Sequence, residues 1–246
     1  MGSQLGARYV SRELTHFVGR GKSEREQYEL LLEIVRSGWL THPPHEKRLG
    51  SSLIVNPNTK LSDNEMYNPR MVCFCDIPLR DMGIHIRKYS PFGIAFLKDF
   101  IVQRGGMPVR YVPLGAKRGR RNVGASEELE TVGQYFDRTV RSYYQLFVVD
   151  GLVKQVSTEC PEREENSIDD LKFFFNFQVF SFLKFFDHTL MDSHPENYYL
   201  EREWRVLGNV PFRLEDTSRV ILPASYAERF RSDVAEYQGE TYPIAC

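Results

Sequence analysis

The chain has 246 residues with 32 basic and 33 acidic side chains, a formal charge of −1, so bulk charge points to no polyanion partner. A hydrophobic fraction of 41%, with 17 Phe and 13 Tyr, supplies a sizeable core for one large domain and excludes disorder as the main state. Its most apolar stretch, 173–186, is interrupted by Asn176, Gln178, Ser181 and Lys184; with a polar start and no charged-then-apolar leader, the expectation is a cytoplasmic protein that neither enters nor crosses a membrane.

Glu13 to Val18 has the character of a short strand, broken by Gly19 and Gly21. Ser23 fits a helix N-cap, with Glu24 and Glu26 in the first turn, Tyr28, Leu31, Leu32 and Val35 at helical spacing, and Gly38 as the stop. Residues 41–70 carry many Pro, Asn and Ser side chains and predict a long irregular loop. Met71–Phe74 is an apolar strand, and a turn or helix runs from Asp76 to Lys88. Pro91–Phe96 is a strand, 97–104 a short helix, and Pro108–Val112 another strand. Two longer helices are predicted at about 126–148 and 168–190, separated by the charged linker Glu159–Asn166. The second carries Phe on most of its circumference, as a buried helix or one shared with a partner does. Strands at 201–207 and 218–222 and a helix at 225–236 close the chain. The elements are mixed rather than alternating βαβ, so the fold class is α+β.

Cys73 and Cys75 fall on one strand face, and they are expected as free thiols together with Cys160 and Cys246. No second Cys/His pair stands at zinc-like spacing, so no metal site is expected. Gly19-x-Gly21 lacks the third glycine of a dinucleotide fingerprint.

Three constellations offer chemistry. In Glu201-Arg202-Glu203-Trp204-Arg205, an extended backbone puts Glu201, Glu203 and Arg205 on one face, directed to solvent or a cleft, with Trp204 inward. Two such carboxylates can act as base and hydroxyl orienter, or belong to a solvated edge strand. Thr15-His16-Phe17 precedes Gly19-Arg20-Gly21, where His16 is either a core histidine or a donor at a flexible lip. His85 with Tyr89-Ser90-Pro91-Phe92-Gly93 can stack a flat ring and hold its polar edge, or be ordinary turn chemistry. Separately, Lys117, Arg118, Arg120 and Arg121 form a basic loop, either solvated or in contact with nucleic-acid phosphates.

The order of five segments carries a resemblance: Ile34–Leu40 after the His-bearing strand, Val72-Cys73-Phe74-Cys75-Asp76-Ile77-Pro78, Lys88–Lys98, Pro108–Val112 and Glu201–Val206. Across most of its length the chain resembles the bacterial abortive-infection AbiGi family of phage-resistance proteins, some of them the antitoxin half of a pair. More distantly, it resembles the ADP-ribosyltransferase fold. That likeness implies a single domain over 1–246, a mixed, mostly antiparallel sheet flanked by helices, and a helical insertion at about 126–190. It implies Glu203 as catalytic carboxylate assisted by Glu201. It also implies that Thr15, His16, Phe17, Arg20, Tyr89, Ser90 and Phe92 hold NAD as substrate, without a metal. Loss of nicotinamide leaves an oxocarbenium-like centre that a carboxylate stabilises. The expectation is a toxin-type transferase moving ADP-ribose to a protein or nucleic-acid acceptor; the alternative is a non-catalytic antitoxin that neutralises a partner toxin.

Overall fold

The computed structural model describes residues 11–42, 45–47, 52–117, 130–147, 155–157, 168–192, 194 and 196–244. In chain order these form β1 (Glu13–Phe17), α1 (Glu24–Ser37), β2 (Trp39–Leu40), β3 (Ser52–Val55), β4 (Tyr67–Pro69), β5 (Met71–Cys75), α2 (Gly83–Lys88), β6 (Gly93–Leu97), α3 (Lys98–Val102), β7 (Met107–Pro108) and β8 (Arg110–Pro113). They continue with α4 (Val132–Phe147), β9 (Gln155–Ser157), α5 (Ile168–Phe173), β10 (Leu183–Phe186), β11 (Glu203–Leu207), β12 (Val210–Pro211), β13 (Thr217–Pro223), α6 (Ala227–Asp233) and β14 (Glu240–Ile244). The architecture is mixed α+β, in two compact units: one from Met1–Arg48, Met71–Pro108 and Glu201–Cys246, the other from Leu49–Arg70 and Val109–Leu200. The insertion expected at about 126–190 falls inside the second. Cys160, Cys246 and the charged linker 159–166 lie outside the described residues.

The first unit is built on a sheet of seven described strands in the order β14-β13-β6-β1-β5-β11-β7. Its pairings are antiparallel except β13 with β14. Register fixes the two faces. Thr15 stands opposite Cys75 and Ala95, and Cys75 opposite Glu203, so these four share a face. Leu14, His16, Phe74, Ile94, Phe96, Trp204 and Val220 take the other, because side chains alternate. That second face forms the main core with Tyr28, Leu31, Leu32 and Val35 of α1 and Phe230 of α6. The sequence positions α1 as expected. Ser23 and Glu26 form a capping box, and Gly38 closes the helix in the left-handed region at φ 67°, where a β-carbon would lie 2.7 Å from the Phe212 carbonyl oxygen.

In the second unit β3 pairs with β4 and β9, and β10 runs parallel to β8. The loop expected over 41–70 therefore contains two strands and a 3-10 turn at Leu61–Asp63: pairing partners distant in sequence organise it. The helix expected at 168–190 ends early. After α5 the backbone widens into a π-turn at Phe174–Val179, tightens into 3-10 at Phe180–Phe182, and becomes β10. Strand pairing with Arg110–Pro113 outweighs helical propensity there. The strand expected at 108–112 is split, Pro108 ending β7 and Arg110 beginning β8. Of the helix expected at 126–148, 126–129 lie outside the described residues and 132–147 form α4. Strand β14 was not anticipated.

Candidate functional site

The β11 segment does not alternate as a simple strand. Glu201 ends a 3-10 turn, and Arg202 adopts φ 44° before β11 starts at Glu203. A left-handed conformation is costly for a residue with a β-carbon, on the order of 1–3 kcal/mol. Here it is pinned from both sides: the Asp76 amide donates to the Arg202 carbonyl at 3.1 Å, and the Arg202 guanidinium reaches Asp76 Oδ2 at 3.4 Å. Lys98 Nζ meets the same oxygen at 2.8 Å.

The charged face expected to meet solvent or a cleft is buried. Glu201, Glu203 and Arg205 are each 6% exposed. Arg205 donates Nε to Glu203 Oε1 at 2.7 Å and Nη2 to Oε2 at 3.4 Å, a forked pair between neighbours on one strand face. Glu201 accepts from Lys88 Nζ at 2.7 Å and from the Tyr89 hydroxyl. Trp204 is partly buried against the α1 core on the opposite face. A solvated edge strand therefore does not describe this segment.

The expected NAD-binding residues divide between the two faces. Phe17, Tyr89 and Arg20 come together: the Phe17 and Tyr89 rings stack at 5.9 Å and the Arg20 guanidinium lies 5.1 Å over Tyr89. His85 joins the stack at 6.4 Å from Phe17. Thr15 is buried on the Glu203 face. His16 is not with them. It shares the α1 face, contacts Phe74 edge-on at 5.8 Å, and its Nδ1–H donates to the Cys73 carbonyl at 2.8 Å. Burial lowers its pKa, with the Cys73 bond opposing. Phe92 is fully buried in the α1-side core, and Ser90 Oγ accepts the Phe92 amide at 3.0 Å. Lys117 is exposed and bridges Thr131; Arg118, Arg120 and Arg121 lie outside the described residues.

Electrostatics match a locked network. Burial, then Glu201, pushes the Tyr89 hydroxyl well above its usual range. Burial, with Asp76 and Glu201 beside it, pushes the Cys75 thiol up to about 12, so it stays protonated and unreactive. Sequence reasoning left Lys88, Asp76 and Lys98 out of the site, and gave Arg205 a shared face with Glu203 but no role. The one signal for the first three was position within the segments that carried the resemblance. Among the described residues no cluster of three His, Cys, Asp or Glu is placed to hold a metal, and no helix is long and apolar enough to cross a membrane.

A protein-family model described as "Putative abortive phage resistance protein AbiGi, antitoxin" matches residues 56–236. No curated protein and no solved structure matches the chain. The antitoxin description overturns the expectation of a toxin-type ADP-ribosyltransferase. His16 and Glu203 occupy opposite faces of the sheet, so His16 does not join Tyr89 and Glu201, which are hydrogen-bonded to each other.

Proposed function

The chain belongs to the AbiGi family, and from that membership we propose that it is an antitoxin, a non-catalytic protein that binds and neutralises a partner toxin in an abortive-infection pair. The observation that carries the reading is the antitoxin family's match over residues 56–236, most of the chain. The geometry supports it. Glu201 and Glu203 sit buried on internal cations and a tyrosine hydroxyl, an arrangement suited to holding β11 in place. NAD has no role in this proposal. An antitoxin must meet its toxin before the toxin acts, so the proposed place of action is the cytoplasm.

For the toxin-facing surface we favour the start of the Phe-rich segment. Leu171 and Phe174 are 45% and 52% exposed, one helical turn apart, above the buried Phe177 and Phe180. Large apolar side chains on a rigid base are the kind that anchor protein interfaces. The test is co-expression with each gene that adjoins this one in its source genome and arrests growth when expressed alone. The expected result is restored growth, lost by Leu171→Asp with Phe174→Asp, with thermal unfolding of the surface variant unchanged. Growth arrest by this chain expressed alone, or no rescue from any growth-arresting neighbour, overturns the reading.

A further inference from the structure

The second unit contains a concavity whose lining includes neither Leu171 nor Phe174. It lies between the Lys60–Asp63 turn and α4 and measures about 190 Å³. At ~30 Å³ per water this is roughly six waters' worth of space, enough for a phosphate group and a short carbon skeleton.

Two exposed cations line it, Lys60 and Arg141. Neither has an ion-pair partner among the described residues. The expected partner of Arg141 is Asp137, one helical turn earlier on α4 and also in the wall. Asp137 is held elsewhere: Oδ1 accepts the Ser62 amide at 2.8 Å and Oδ2 the Ser62 hydroxyl at 2.7 Å. That contact fixes the turn against α4, keeps Lys60 and Arg141 on one concavity, and leaves the guanidinium without its helical counter-ion. Tyr144, 8% exposed, lines the same concavity, and its hydroxyl is a donor without a hydrogen-bond partner among the described residues.

We propose that this concavity binds the phosphate group of a small phosphorylated molecule. Arg141 supplies forked donors, Lys60 a point charge and Tyr144 a hydroxyl. Two cations match the charge of −1.5 to −2 on a phosphomonoester at neutral pH. The Asp137 carboxylate opposes it, so affinity is moderate, and the exposed cations make it fall with salt.

The probe is ribose 5-phosphate, titrated calorimetrically into the whole chain, with ribose, inorganic phosphate and chloride at matched ionic strength as comparisons. Ribose 5-phosphate and phosphate are expected to bind, and ribose and chloride to give no signal. Arg141→Ala and Lys60→Ala each weaken binding by about tenfold or more, as loss of a charged hydrogen-bond donor does. Asp137→Asn, which keeps one acceptor for Ser62 and removes the like charge, tightens it. Both cations are exposed, so thermal unfolding of the ligand-free variants should match the parent. The double variant should still rescue growth, separating this site from toxin neutralisation. Unchanged affinity in the double variant, an equal response to ribose or chloride, or binding only to an acidic peptide or RNA overturns the proposal.

Discussion

At the scale of single residues, the pair Glu203–Arg205 is the most consequential arrangement in the first unit. Both side chains are 7% exposed and joined through two hydrogen bonds. Removing one member of a buried pair costs about 3–5 kcal/mol, because a charge loses its partner in a poorly solvated place. Glu203→Ala is therefore expected to lower the urea midpoint sharply. Replacing both at once with Leu and Met should recover much of that loss, since neither charge then needs solvating. Unchanged stability of the single variant counts against a structural role for the pair. The residue identities here were legible in the sequence, and their partners were not. Alternation correctly put Glu203 and Arg205 on one face. It could not show that β1 and β5 pair with Thr15, rather than His16, opposite Cys75. One residue of register decides which face a side chain occupies, and that parity separates His16 from Glu203. The left-handed Arg202 was likewise invisible, because its stability comes from Asp76, 126 positions away.

Among the elements, α1 was the most legible, since its boundaries are set by neighbours in sequence. Ser23, Glu26 and Gly38 each act within one turn. Gly38→Ala is expected to destabilise by about 1 kcal/mol or more, because the left-handed conformation penalises a β-carbon. The Phe212 carbonyl oxygen 2.7 Å from that carbon adds a steric cost. Chemical denaturation checks it; a midpoint equal to the parent's would show that the turn relaxes freely. The Phe-rich segment was least legible. Eight phenylalanines between 173 and 186 suit a buried helix and a buried strand equally, and the chain uses them for both. Asn64 shows why local reading fails there: its amide donates to the Phe185 carbonyl at 2.9 Å and accepts the Phe185 amide at 2.8 Å, fixing an edge of β10 from 121 residues away.

For the whole molecule, the family match begins at residue 56, beyond β1 and α1. Yet β1 lies inside the sheet between β6 and β5, and α1 covers its main core. A fragment of residues 56–236 is therefore expected to lose cooperative unfolding of the first unit, read by circular dichroism and amide dispersion in NMR. A sharp transition in that fragment would mean that β5 and β6 close the gap by themselves.

The interleaving of segments also has a consequence in time. Strands β1, β5 and β6 are made early, but β11 and β13, which flank them, follow only after the whole 109–200 stretch of the second unit. At a synthesis rate of ~5–20 residues per second, these roughly 90 residues take on the order of 5–20 seconds. Throughout that interval the nascent sheet has unpaired borders, which are prone to pairing with other chains. A cell making this protein thus passes through a vulnerable window with every copy, and crowded or stalled ribosomes lengthen it. Supply of finished protein then depends on uninterrupted translation as well as on transcription.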